Sequence, residues 1–443
     1  MGGSRTPRLA LAALALLVVV GGLANGRGYR DFVFEDAFIS YRYADNLARG
    51  QGFVFNPGER VLGTSTPLYT LALAALQAGV GLDPPRASAL LFSVGLALIA
   101  LIGGVLLRAQ GHPIAAVLFA ALVVSGWGGI RDVFGLETTC YAALLLASYW
   151  AATRARYATA GVLGGLSFLA RHDGVLFVAA LFAAATWRQR RPAWRLALAA
   201  GLTVAPWLLF AQLYFGSIFP NTLAAKLGTT SFRAYAPAAL AIQAEHALRF
   251  LQPSEPGGGA IRLAPALAAL LGAAGLAGAL RLLARDRLSS CLLAFPVALW
   301  IGYSMIGPPI EHHWYLLPGS YFALLFCIAA GSIALRENPL ARSPRIARLA
   351  PWLSGLVAAG ALLLALRLPS LIEREYERET STGFYRGRTT VYREMAGFLL
   401  DTDLARRTLM TAEPGYLAYL SGSPVIDAAG LVTRDIFLHA SPD

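Results

Sequence analysis

The chain has 443 residues, 56% of them hydrophobic and only 14% charged. Soluble domains carry about 25% charged residues, and here the apolar residues come in long runs, so a soluble enzyme, a disordered chain and a disulfide scaffold are excluded. A polytopic membrane protein remains. The net charge of +12 arises from 37 basic and 25 acidic residues, with Lys226 the single lysine, and on such a chain it is read by position rather than as a nucleic-acid signal.

From the N-terminus, Leu9–Ala24 follows Arg5 and Arg8 in the form of a signal sequence; it is either cleaved after Ala24 or, as a multi-span chain favours, kept as a first helix whose basic flank is cytoplasmic. A long loop, 25–66, leads to the apolar run Pro67–Leu82. Further spans are expected at Ala87–Leu107, Ile114–Gly129, Leu136–Ala152, Ala158–Ala170, Val175–Trp187, Leu196–Phe215, Ile261–Leu283, Leu288–Ile306, Trp314–Leu335 and Leu349–Leu368. Residues 369–443 read as a small α/β tail: helix Thr390–Leu400, strand Thr408–Ala412, helix Gly415–Ser421 and strand Pro424–Asp427. Cys140, Cys291 and Cys327 lie inside apolar runs without metal spacing and read as small core residues.

Arginine placement decides the status of Pro67–Leu82. Were it a span, the basic segments Trp187–Arg195, Arg281–Arg287 and Arg336–Arg348 would face outside, against the positive-inside rule. If it lies along the outer leaflet as a juxtamembrane helix, these segments fall inside, together with Arg108, Arg154 and Arg156. The second topology gives an all-α polytopic plasma-membrane protein of about eleven spans, N-terminus in and C-terminus out. Residues 1–368 then form the transmembrane module and 369–443 an extracytoplasmic tail. The outer side collects the loops Asn25–Thr66, Ile130–Gly135, Arg171–Gly174, Gly216–Ala260 and Gly307–His313.

The tip Arg171–Gly174 joins two legs of about 13 residues, ~20 Å at 1.5 Å per residue against a hydrocarbon core of ~30 Å. Arg171, His172 and Asp173 are therefore expected below the outer surface, where charge is tolerated in a polar cavity or in pairs. A simple Arg171–Asp173 pair and a functional site are both open readings.

In the first loop, Asp36 is placed to cap a helix running to Arg49, with Gly50 as its stop. Apolar or aromatic residues at 37, 38, 41, 44, 47 and 48 would give that helix one buried face. Glu35 and Asp36 are more acid than a cap requires, and adjacent carboxylates suit a general base or a metal site. Tyr41, Tyr43, Phe53 and Phe55 fit sugar stacking and interfacial anchoring equally well. Glu137 either offsets the dipole of the helix it opens or serves the site as a second acid or metal ligand. His312 and His313 read as an interfacial belt or a ligand pair.

The segment Glu35-Asp36-Ala37-Phe38-Ile39-Ser40-Tyr41-Arg42-Tyr43, followed by Leu47-Ala48-Arg49-Gly50-Gln51-Gly52-Phe53-Val54-Phe55-Asn56-Pro57-Gly58-Glu59-Arg60, resembles the first-loop signature of GT-C membrane glycosyltransferases. The likeness is to the bacterial branch that includes the terminal arabinofuranosyltransferases, which carries Asp-Asp where this chain has Glu35-Asp36. Further matches follow in order: Gly135-Leu136-Glu137-Thr138, Leu169-Ala170-Arg171-His172-Asp173-Gly174, Phe215–Thr222 with Lys226, and Pro424–Leu431.

The resemblance implies a polyprenyl-phosphate sugar donor, an acceptor hydroxyl on a glycan, lipid or protein outside the membrane, and a first-loop acid as base. Asp36 or Glu35 would be that base, and Arg171, His172 and Lys226 would hold the donor phosphate, since charge builds on the bridging oxygen as the glycosyl bond breaks. Glu137, Arg42, Asp173, Asn221 and His313 are expected to support these residues or to meet the acceptor. A divalent ion held by Glu35, Asp36 and Glu137 stays open. The rival readings are a carrier or flippase for a lipid-linked sugar and an inactive homologue acting as a binding subunit.

Overall fold

The computed structural model describes residues 35–111, 113–124, 133–226, 230–249, 280–308, 314–337, 384–402, 404 and 407–433. The expected spans Leu9–Ala24 and Leu349–Leu368, most of Ile261–Leu283, and the residues His312 and His313 lie outside them.

Helices cover each remaining apolar run. They are α1 (Glu35–Ala48), α2 (Pro67–Val80), α3 (Pro84–Ala109), α4 (Pro113–Val124), α5 (Thr138–Thr153), α6 (Tyr157–Ala170), α7 (Gly174–Gln189) and α8 (Trp194–Phe215). Then come α9 (Asn221–Lys226), α10 (Phe232–Arg249), α11 (Ser290–Ile306), α12 (Leu317–Glu337) and α13 (Phe384–Asp401). The segment 216–260, read as a loop, thus contains α9 and α10. Strand β1 (Leu409–Thr411), helix α14 (Pro414–Ser421) and strand β2 (Val425–Asp427) follow, and the strands pair in parallel with Leu409 opposite Val425.

Local signals set several boundaries. Asp83 accepts the Arg86 backbone N–H at 2.9 Å ahead of Pro84, so α3 starts on a capped, proline-led turn. Helix α2 stops at Gly81, whose φ of +71° few other residues adopt cheaply. Among the described residues four helical stretches are long and apolar enough to cross a membrane: Pro84–Ala109, Trp194–Phe215, Arg287–Ile306 and Trp314–Ile333. Helices α6 and α7, the legs of the Arg171 tip, are shorter apolar helices.

The bundle packs by aromatic interdigitation and by close helix approach. Phe177 meets Phe295 and Phe322 edge-on at 5.4 and 5.5 Å, tying α7, α11 and α12 together. Helices α6 and α8 touch through glycine: a Cβ on Gly165 would lie 2.7 Å from Thr203 Cβ and 2.9 Å from the Ala200 carbonyl. Leu198, Leu202, Leu209 and Leu213 of α8 stay exposed, as a lipid-facing surface requires. Cys291 is buried in the packing as expected, whereas Cys140 is partly buried and Cys327 is exposed.

The helices alternate in direction, so the arginine-rich ends gather together. Arg287 donates to the Trp187 carbonyl at 3.3 Å, and Arg188 meets Asp286 at 3.7 Å. The other ends of α6, α7, α11 and α12 surround a cavity. Thr66, just ahead of α2, lines the cavity, and Ser88, one turn into α3, is held by Tyr41 of α1.

Helix α1 departs from the sequence reading in two ways. Glu35 is already helical, so Asp36 stands inside the first turn rather than capping it. The helix is also buried on all sides from Ala37 to Asn46, not on one face. Phe38, Tyr41 and Ala44 pack on Tyr69, Leu73 and Tyr416, while Ile39 and Tyr43 pack on Phe53, Phe55, Trp207 and Val425. The tail supplies the difference, because its residues Tyr416 and Val425 cover a face that local sequence alone would leave to water. Tyr41, Tyr43, Phe53 and Phe55 are therefore packing residues; Tyr43 donates to the Val61 carbonyl at 2.6 Å and accepts from Gly63 N–H at 2.9 Å.

Candidate active site

A cavity of about 540 Å³ opens at the end of the bundle opposite the arginines. Asp36, Ser40 and the run Gly63–Thr66 form one wall. Glu137, Arg171, His172, Asp173, Tyr303 and Tyr315 form another, and Ile218, Phe219, Leu223, Trp314 and Leu431 add apolar surface.

The two first-loop acids part company. Asp36 lines the cavity, whereas Glu35 turns to the tail, where its Oε1 accepts Gly415 N–H at 2.6 Å and Tyr416 N–H at 3.2 Å. Glu35 thereby satisfies the open first turn of α14. Burial pushes its carboxyl up to about 8, the Asp36 and Glu413 charges add to the rise, and the two backbone donors oppose it. Gly415 allows the approach, since a Cβ there would sit 2.6 Å from the Glu35 carbonyl.

The Arg171 tip is built tightly. Gly174 N–H closes on the Arg171 carbonyl at 2.9 Å, and a Cβ on Gly174 would meet Phe168 N at 2.7 Å. Arg171 Nη2 donates to Asp173 Oδ2 at 2.7 Å and to Tyr303 Oη at 3.1 Å, and Tyr303 Oη donates to the same carboxylate at 2.9 Å. Its Nε lies 3.6 Å from Glu137. The guanidinium is flanked by the rings of Tyr141 and Tyr315, at 5.1 and 5.2 Å. Arg171 is 5% exposed, and its Nη1, with His172 Nε2 and Asp173 Oδ1, has no hydrogen-bond partner among the described residues. The Arg171–Asp173 pair and a polar cavity therefore coexist, with Glu137 as an added member.

Other expected site residues stand elsewhere. Arg42 does not line the cavity; its guanidinium donates to the carbonyls of Phe55 at 3.2 Å and Gly422 at 3.0 Å, because α1 is enclosed by its own loop and the tail. Asn221 likewise is not a lining residue; it opens α9, its N–H on the Leu62 carbonyl, beside the lining residues Thr222 and Leu223. Lys226 ends α9, with its side chain outside the described residues. Among the described residues no three His, Cys, Asp or Glu side chains group to hold a metal ion, and Glu35 points away from Glu137 and the cavity.

The sequence reading missed the hydroxyl wall and the tyrosines. Ser40 Oγ is 3.1 Å from Thr66 Oγ1 and 3.4 Å from Thr64 Oγ1. The small polar run Gly63–Thr66 between Leu62 and Pro67 was its available signal. Tyr303 carried none, being one aromatic in an apolar span.

No family model matches the chain. It is 29% identical over 245 residues to the terminal β-(1→2)-arabinofuranosyltransferase of Mycobacterium tuberculosis (strain ATCC 25618 / H37Rv), a match covering 49% of this chain and 38% of that protein's length. In structure it is similar to ArnT from Cupriavidus metallidurans bound to undecaprenyl phosphate, with a TM-score of 0.62 and 12% identity over 96% of this chain and 86% of that one. It is also similar to the apo oligosaccharyltransferase of Archaeoglobus fulgidus, with a TM-score of 0.51 and 15% identity over 94% and 64% of the two chains. The chain has the fold of the GT-C membrane glycosyltransferases, and over about half its length its sequence resembles a terminal arabinofuranosyltransferase.

Proposed function

We propose that this chain is an inverting membrane glycosyltransferase that moves a hexose or pentose from a polyprenyl-phosphate donor to an acceptor hydroxyl on a cell-envelope glycan, lipid or protein. One observation carries the reading: Asp36, Arg171 and His172 line a single cavity. The fold neighbour bound to undecaprenyl phosphate supports a lipid-phosphate ligand for this cavity. The gathering of arginines at the far end supports a cytoplasmic face there and an extracytoplasmic site, with α2 as a juxtamembrane helix.

In this reading Asp36 takes the proton of the acceptor hydroxyl, whose oxygen attacks the anomeric carbon. The bond from that carbon to the phosphate oxygen breaks, its electron pair staying on the departing polyprenyl phosphate. Arg171 and His172 meet that charge. Glu137 and Asp173 already oppose the single charge of Arg171, so the phosphate needs a further cation. Lys226, at the end of a helix bordering the cavity, supplies it.

The test is transfer by the purified protein from a panel of polyprenyl-phosphate sugars. Asp36→Asn is expected to lower turnover by about 10³-fold, within the range for a lost general base. Unchanged turnover sinks the assignment of Asp36, and movement of labelled lipid without a new glycosidic bond favours the carrier reading.

A further inference from the structure

The Pro424–Leu431 motif is not used by the chemistry above, yet it is closely hydrogen-bonded. Asp427 is 0% exposed, and its carboxylate accepts three backbone N–H groups. Oδ1 takes Ala429 at 2.9 Å; Oδ2 takes Leu431 at 2.5 Å and Val432 at 3.0 Å. Gly430, at φ +71°, turns the chain between them and donates to the Asp427 carbonyl at 3.0 Å. A carboxylate is the one side chain that can accept at all these positions with no donor to misplace.

The turn so made is pressed against the first loop. A Cβ on Gly63 would lie 2.8 Å from Val432 Cγ1 and 2.9 Å from the Leu431 carbonyl, so only glycine leaves room there. Leu431 then lines the same cavity as Asp36, next to Gly63. An inverting attack brings the acceptor in on the side of the base, opposite the departing phosphate.

We infer that Asp427 is a positioning residue that sets Leu431 as part of the acceptor-side wall of the cavity. The inference rests on the transferase reading for the word acceptor, but the placement of Leu431 by Asp427 is testable without turnover. In the first experiment, Leu431→Cys is labelled with a charged, membrane-impermeant thiosulfonate in the full-length protein, against the unmodified chain as background. Adding Asp427→Asn, which turns an NH2 group toward at least one of the three N–H donors, is expected to change the labelling rate at least about fivefold, as for a lost wall contact. In the second, transfer to an octyl glycoside is measured. Leu431→Ala is expected to raise the KM for the glycoside about tenfold with kcat and donor KM unchanged, and Leu431→Met to restore it. An unchanged labelling rate, or an unchanged acceptor KM in Leu431→Ala, overturns the inference. If no donor supports transfer at all, the transferase reading fails while the labelling comparison still decides the role of Asp427.

Discussion

The side-chain amide of Asn56 serves as a strand partner for Val425, donating to its carbonyl at 2.8 Å and accepting from its N–H at 3.0 Å across 369 positions of sequence. It does so at the outer edge of β2, whose other edge pairs with β1. Arg42 on the Gly422 carbonyl and Glu35 on Gly415 and Tyr416 repeat the pattern. Three polar residues of the first loop therefore hold the backbone of the tail, and the tail in turn covers α1.

Asn56→Asp should loosen this contact. The carboxylate can still accept from Val425 N–H but faces the Val425 carbonyl with no donor, which costs about 1–3 kcal/mol for a buried unsatisfied group. A lower melting temperature of the purified protein, with earlier proteolysis in the tail, is the expected result.

Glu35 makes stability depend on pH. Its folded value of about 8 lies above the ordinary 4.5, so its contribution is full below about 4.5 and is lost as the pH rises through about 8. The slope cannot exceed about 1.4 kcal/mol per pH unit for one group. Glu35→Gln keeps an acceptor for Gly415 and Tyr416 and should flatten that slope, read as melting temperature against pH. Turnover should survive this change, in contrast to Asp36→Asn.

Arg171 has two separable roles. Arg171→Met leaves Glu137 and Asp173 buried without their cation and should destabilise the fold by about 3–5 kcal/mol. Arg171→Lys keeps a charge but not the planar fork between Tyr141 and Tyr315, and should cost about 10²-fold in turnover with a smaller loss of stability. Binding of undecaprenyl phosphate, measured beside the melting temperature, separates the two.

Gly165 tests the helix contact. Gly165→Val would force α6 from α8 at Thr203 and the Ala200 carbonyl, an overpacking cost of about 1–3 kcal/mol. Gly201, with open space at its Cβ, is the control: Gly201→Ala should leave the melting temperature unchanged or raise it.

Much of the architecture is legible in the sequence because the signals are local. Apolar runs between arginine clusters, Asp83-Pro84 ahead of α3 and Gly81 after α2 need only their neighbours to act. The strand–helix–strand order of Leu409–Asp427 is written in the same local terms. The residues around Glu35, Asp36, Glu137 and Arg171 are likewise marked, since charge at the end of an apolar helix is costly without a purpose.

What the sequence determined by itself, then, is where helices form and which charged residues stand near one end of the bundle. Tertiary structure alone decided which of them face the cavity. Glu35 and Asp36 are adjacent, yet on a helix adjacent side chains point about 100° apart, and the docking of α14 takes one direction while the cavity takes the other. Arg42 belongs to the same motif and was claimed by two carbonyls, one of them in the tail. Tyr303 and Leu431 entered the cavity only because distant segments pack there, and pairings across hundreds of residues leave no mark in local pattern.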